Sequence, residues 1–510
     1  MSFLVSVLPI VLLFALMLGF KVSGWLSALL TLFATALLGI VMTSSPTLVG
    51  WSMAEGGLKA VFPIFLIILM AIFSYNIVVE SGQIEVIKRQ FVSLTSDRGI
   101  LVLLMVWGFG GLLEGMAGFG TAVAIPAAIL IGLGFKPFFS ALVALLGNTV
   151  ATGFAAVGVP VITLCNEATP GGMASADMVR EISAFTVMQL APLFFLVPFA
   201  ILMLTDRTVW LRNVVLTVWV GSVSLAVQFA CARWLGAETP AILGSIAAIV
   251  ALIVAARVSG SKPAATPVGF GAALRAWSVY IAILALILFT GTLFPSVNMF
   301  LKSHAVSQVS LPVIGTQFRF GWLSNAALML LVGSVAGGLI QGLSLRRLLV
   351  VLCRTMVSLR YTAITIVSLI TLASVMNYTG MIATIATGLV AATGSFYPMF
   401  APLIGAIGTF VTGSDTSSNI LFAKLQVSVA DKLEMSGAHS YLGVGGDEAS
   451  WLLASNTTGA TGGKMISPQS IAVATAACDM KGSDDAILRA AIPYAVVYVL
   501  IGGLMVYFAQ

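Results

Sequence analysis

Long apolar runs separated by short polar breaks occupy almost the whole chain. About 20 apolar residues suffice to cross a bilayer as a helix. Such runs lie near 3–20, 25–43, 58–79, 183–203, 214–234, 240–256, 276–293, 321–343, 358–379 and 490–508. Two more, 137–165 and 448–478, are broken in the middle by glycine, asparagine and proline. Together these predict about 12 crossings. Two further apolar stretches, 100–134 and 397–429, turn at glycine-rich centres into arms that read as too short to cross. They are expected to be re-entrant hairpins. The predicted fold class is an all-α polytopic membrane protein.

The four interrupted segments read as one device written twice. The first copy runs Leu113-Glu114-Gly115-Met116-Ala117-Gly118-Phe119-Gly120-Thr121, followed by Gly147-Asn148-Thr149 and Gly158-Val159-Pro160. The second runs Thr412-Gly413-Ser414-Asp415-Thr416-Ser417-Ser418-Asn419, followed by Ser455-Asn456-Thr457 and Ile466-Ser467-Pro468. Asn148 pairs with Asn456 and Pro160 with Pro468 at an offset of 308, while Gly118 pairs with Gly413 and Thr121 with Thr416 at 295. A polar insert around Asp431 to Asp447 absorbs the difference. Helix-breaking polar sequence at membrane depth is tolerated where it lines a site, and paired interruptions in two halves point to the binding site of a secondary transporter.

Composition narrows the class. Of 510 residues, 59% are hydrophobic and 8% charged, against roughly 25% charged in a soluble protein. Mean hydropathy is +1.10 and the pI about 9.2. No basic patch or motif points to nucleic acid, so membrane topology is the better account of the basic excess. Cys165, Cys231, Cys353 and Cys478 are scattered, with no metal spacing and no expected disulfide framework. The first apolar segment lacks the basic start of a signal peptide, since Lys21 follows it.

With the N-terminus outside and sides alternating, sixteen Lys and Arg fall in inner loops. Six fall outside, namely Lys59, Arg180, Arg233, Lys302, Arg319 and Lys432. Lys424 and Lys464 lie within interrupted segments. This bias follows the positive-inside rule and places both termini outside. It also gives the halves opposite orientations. The expected organisation is an inverted repeat over 1–208, linking helices and a loop over 209–268, and a second inverted repeat over 269–510. Such repeats around a midplane site suit alternating access.

Ser467-Pro468 reads as an N-cap followed by proline at the first helical position, and Val159-Pro160 places proline similarly. Each would start a half-helix whose free N–H groups and positive dipole end attract a carboxylate. Three charges stand out in these elements: Glu114, Asp415 and Lys464. An unpaired charge at the bilayer centre costs roughly 3 kcal/mol or more. Lys464 either binds a substrate carboxylate or pairs with Asp415 or Glu114. Burial favours a neutral carboxyl, so Glu114 or Asp415 can carry a proton near neutral pH. Alternatively, Asp415 caps a short helix beginning at Thr416. Thr121, Asn148, Thr149, Ser414, Thr416, Ser417, Asn419, Asn456, Thr457, Ser467 and Gln469 supply donors and acceptors for a small polar solute or for broken backbone. Gly118 and Gly120, with Phe119 between them, permit a tight turn and close approach.

Enzyme signatures fail. Gly462-Gly463-Lys464-Met465 lacks the Ser/Thr of a P-loop, and Thr458 stands where its first glycine belongs. No dinucleotide fingerprint is complete, and His304 and His439 fall in expected outer loops. No cofactor or metal is expected.

At these motifs the chain resembles the lactate permease family, which includes lactate and glycolate permeases. The matching stretches are Leu113 to Gly120, Val123 to Ile125, Gly132 to Pro137, Leu403 to Asn419, Asn456 to Gly459 and Gly463 to Ile471. The resemblance covers essentially the whole chain. It departs at Thr121-Ala122, where relatives are expected to have proline second, and in the short loops of 257–320. The resemblance implies uptake of a 2-hydroxy monocarboxylate with a proton across the bacterial inner membrane, by a non-enzyme whose partners are its substrate and the bilayer, not nucleic acid. A homodimer is compatible with it. Sodium coupling, an intramembrane enzyme and an anion channel are the alternative readings.

Overall fold

The computed structural model describes residues 3–116, 118, 120–261, 268–291, 294–435, 437–441, 444–480 and 483–509. In the first half these form α1 Phe3–Phe14, α2 Gly24–Thr43, α3 Pro46–Lys59, α4 Leu66–Glu80, α5 Gln83–Val92, α6 Arg98–Leu103, α7 Gly110–Met116, α8 Thr121–Gly132, α9 Pro137–Gly147, α10 Thr149–Thr152, α11 Ala155–Ala168, α12 Ala176–Leu190 and α13 Leu193–Thr205. Two long helices follow, α14 Trp210–Trp234 and α15 Pro240–Val258, packed on each other. The rest comprises α16 Phe270–Thr290, α17 Pro295–Ser303, β1 Val306–Leu311, β2 Thr316–Gly321, α18 Ala326–Ile340, α19 Leu345–Ser358, α20 Arg360–Tyr378, α21 Met381–Thr393, α22 Tyr397–Thr412, α23 Asp415–Lys432, β3 Ala438–Tyr441, β4 Val444–Asp447, α24 Glu448–Lys464, α25 Pro468–Ala477 and α26 Asp484–Phe508.

Among the described residues, nine helices are long and apolar enough to cross a membrane, or ten if the bent pair α12–α13 is one span. Other expected crossings are shorter or divided. The run near 321–343 gives only the 15 residues of α18. The first hairpin's leading arm is longer than the sequence suggests, because Arg98–Met116 forms a 19-residue helical stretch that is apolar on average. Length alone therefore does not mark it as too short to cross.

Helix starts follow local chemistry. Side chains of Ser45, Asp97, Ser175, Asn325, Ser344, Ser414 and Ser467 each accept from a backbone N–H in the first turn that follows. Between α3 and α4, Phe62 leaves the helical region (φ −125°, ψ 123°), as expected before Pro63. The Phe62 ring packs at a tilt against Phe320 and Trp322, which ties the kink to the β1–β2 hairpin. Both β-hairpins are antiparallel additions to the expected all-helical fold.

The tightest helix pair is α22 against α24. An added Cβ at Gly405, Gly459 or Gly463 would overlap the carbonyl of Asn456, Pro402 or Ala406 respectively. Small residues here let two backbones touch, the usual means of joining helices where the solvent is lipid.

Candidate functional site

Both interrupted devices fold as helix, break, helix. In the first, α7 ends before Gly118 (φ 63°) and Gly120 (φ 84°), and α8 folds back to pack on α7. In the second, α22 ends at Gly413 (φ 74°) and α23 packs back on it. These left-handed positions suit glycine, which has no Cβ to clash. The two turns meet elements from other parts of the chain. Gly118 abuts Ala155 and Ala156 of α11, Gly120 abuts Val473 of α25, and the Gln469 side chain lies over Gly413.

The broken helices complete the arrangement. Ser467 caps α25, accepting from the Ser470 N–H at 3.2 Å, and Pro468 occupies the first turn as the sequence indicates. The other break lies earlier than Val159-Pro160. Ala156, Val157 and Gly158 are three consecutive left-handed residues (φ 45°, 61° and 78°), after which the helix resumes. Left-handed backbone at non-glycine residues costs about 1–3 kcal/mol each and persists only where the surroundings impose it. Here Gly158 is pressed against the Ala237 carbonyl.

Glu114, Asp415 and Lys464 converge at these breaks. Glu114 is 0% exposed and Asp415 2%. All four carboxylate oxygens are buried without a hydrogen-bond partner. Each carboxylate feels the Lys464 charge, and Glu114 also feels Asp415. Lys464 is half-buried and forms no ion pair within 4.0 Å among the described residues. Asn148 lies beside Glu114, yet neither side chain completes a hydrogen bond. Thr152 and Thr409 flank Asp415, and Tyr498 of α26 approaches through a 2.8 Å bond to Thr461. Buried polar groups normally find partners, so this cluster of orphans sets the region apart from the rest of the interior.

Asp415 is the first residue of its helix and Ser414 is the cap, which corrects the expectation of a helix beginning at Thr416. Several other expected contacts bond within the protein. Asn419 Nδ2 donates to the Pro160 carbonyl and to Thr457 Oγ1, both at 2.9 Å. Asn456 Nδ2 donates to Asn419 Oδ1 at 2.8 Å, and Gln426 and Tyr397 extend the chain. This network links α11, α22, α23 and α24. Thr149 donates to the Leu146 carbonyl, and the Ser417 N–H is bound by Ser414. Thr416 is partly exposed and Gln469 exposed. Phe119 and the Thr121 side chain lie outside the described residues.

A second buried charge cluster was not anticipated. Lys59, expected in an outer loop, is 3% exposed and pairs with Glu55 at 2.7 Å. Its burial corrects the outer-loop assignment. Ser374 and Tyr378 donate to Glu55 at 2.7 and 3.1 Å. Lys424 stands 3.7 Å from Glu167 without a hydrogen bond. Lys59 also feels Glu167, so two lysines and two glutamates form one neutral tetrad. It joins α3 and α20 to α11 and α23. Lys424 follows Asp415 by nine residues on α23, a separation of about 13 Å. The i,i+4 spacing of Glu55 and Lys59 beside an apolar run was the available signal.

Comparison with known proteins agrees with these motifs. The sequence profile described as L-lactate permease matches residues 2–510. An L-lactate permease of Streptococcus iniae is 37% identical, over 85% of this chain and 91% of the relative. A glycolate permease of Escherichia coli strain K12 is 31% identical over 99% and 95%, and an L-lactate permease of Bacillus subtilis strain 168 is 30% identical over 98% and 94%.

Proposed function

The chain belongs to the L-lactate permease family, and on that premise we propose that it takes up L-lactate and related 2-hydroxy monocarboxylates such as glycolate by proton symport with alternating access across the bacterial inner membrane. One observation carries the reading: two buried carboxylates with unpartnered oxygens share the field of one half-buried lysine where two helices break. The substrate carboxylate sits near Lys464 and the N-terminal end of α25, where N–H groups and the helix dipole favour an anion. Its hydroxyl bonds to Asn148 and neighbouring threonines. One proton on Glu114 or Asp415 makes the transported unit neutral. That matters because moving one net charge against 100 mV costs about 2.3 kcal/mol.

The segments 1–208 and 269–510 act as inverted halves around this site, joined by 209–268, with the termini outside. The glycine-lined α22–α24 contact holds the second hairpin to its broken helix, so these elements move as one unit.

Counterflow tests the reading. Proteoliposomes loaded with unlabelled L-lactate should transiently accumulate labelled L-lactate above equilibrium, and external glycolate should compete. Absence of counterflow with a monodisperse, folded protein would overturn it.

A further inference from the structure

A cavity of about 620 Å³ lies apart from the site just described. Its walls come from the α11–α12 connection, the α14–α15 loop, α17, β2 and the start of α18. It therefore sits where both halves and the linking helices meet.

Its chemistry is one-sided. Arg180, Lys302 and Arg319 line it, against one lining acid, Glu238. Arg180 pairs with Asp177, whereas Lys302 and Arg319 form no ion pair among the described residues. Glu238 lies in the loop between α14 and α15. Burial pushes its carboxyl above the usual carboxylate range, although Lys302 opposes the shift. Asn325 also belongs to the lining. Asn325 is 8% exposed; its Oδ1 caps α18 through the Ala327 N–H, and its Nδ2 has no partner. Three cations, two of them outside any ion pair among the described residues, against one lining acid describe a site for an anion. The volume exceeds a three-carbon acid, so the anion can enter with water around it.

The floor leads inward. Asn166 and Gly172 line the cavity, and the Lys59 stem lies directly against Gly172, where any Cβ would collide with it. Beneath that floor is the buried tetrad of Glu55, Lys59, Glu167 and Lys424.

We propose that this cavity is a vestibule that binds small carboxylate anions ahead of the twin-break site, with Lys302 and Arg319 as the attracting charges. The identity of the anion rests on the proposed transport of hydroxy acids; the anion preference does not. Clefts lined by one sign of charge raise local counter-ion concentration and encounter rates by roughly 10–1,000-fold, less so in salt.

The test uses full-length protein carrying Ser324→Cys at the cavity wall, with the exposed Cys353 replaced by serine. Modification rates are compared for a sulfonate-bearing and an ammonium-bearing thiosulfonate. The vestibule predicts about tenfold faster reaction with the anionic reagent at low salt. That preference should disappear in the Lys302→Gln/Arg319→Gln variant, and millimolar L-lactate should slow the reaction. Equal rates for the two reagents, or no protection by lactate, overturn the proposal. In proteoliposomes, the Lys302→Gln/Arg319→Gln variant should raise KM several-fold with Vmax unchanged, and an unchanged KM counts against the proposal. If the parent protein takes up no lactate, the transport reading fails while the reagent preference still decides whether the cavity attracts anions.

Discussion

Removing one charge from the neutral tetrad tests whether it is a paired network. In Glu55→Gln the amide keeps the shape and can still meet Ser374 and Tyr378, but the 2.7 Å partner of Lys59 loses its charge. At an effective dielectric of about 20, unit charges some 4 Å apart attract by about 4 kcal/mol. Truncating one member of a buried pair costs about 3–5 kcal/mol, because the other charge remains out of water. Glu167 also faces Lys59 and takes over part of its compensation. The expected cost is therefore near the lower end, about 3 kcal/mol. At about 2.1 cal/mol/K of unfolding entropy per residue, a chain of 510 residues loses about 1 °C per kcal/mol. Melting in detergent, followed by tryptophan fluorescence, should fall by about 3 °C. Glu55→Gln/Lys59→Met restores neutrality and should recover most of the loss. A double variant as unstable as the two single changes added together would refute charge pairing as the source of the stability.

Other outcomes follow from the same geometry. Lys464→Ala should raise the lactate KM by roughly 10- to 100-fold, the loss of a hydrogen bond to a charged group worth about 1.5–3 kcal/mol; an unchanged KM in uptake assays would place the lysine outside the binding site. Glu114→Gln or Asp415→Asn should abolish proton-driven accumulation while retaining counterflow, and full accumulation by both variants would clear them of coupling. Gly459→Ala should lower the melting temperature, since overpacking costs about 1–3 kcal/mol. Gly50→Ala, which meets nothing within 4 Å, is the control that should leave melting unchanged or raised.

What the sequence revealed was mostly local or doubled. Ser467-Pro468 starts α25 because cap and proline act within one turn. Gly118, Gly120 and Gly413 mark the breaks because only their backbones tolerate left-handed turns cheaply. The repeated motif made Glu114, Asp415 and Lys464 conspicuous together, and the fold brings them together. Long-range pairings were hidden. Lys59 reads as a loop residue until Glu55 and Glu167 are known to surround it, and Lys424 meets a carboxylate 257 positions away in the chain. Asn419 and Asn456 look like solute ligands because amides bond a solute or each other equally well; their shared network is visible only in the packing of α23 on α24. The left-handed run at Ala156 and Val157 was hidden too, because neither residue favours it and the contact with Ala237 that accompanies it is tertiary.

The central claim is that a hydroxy acid and a proton cross together. Purified protein in sodium-free proteoliposomes, given an inward proton gradient, should accumulate labelled L-lactate above the outside concentration and lose it when an uncoupler is added. Accumulation that appears only with an inward sodium gradient, or uptake that never exceeds equilibrium under either gradient, would contradict the account.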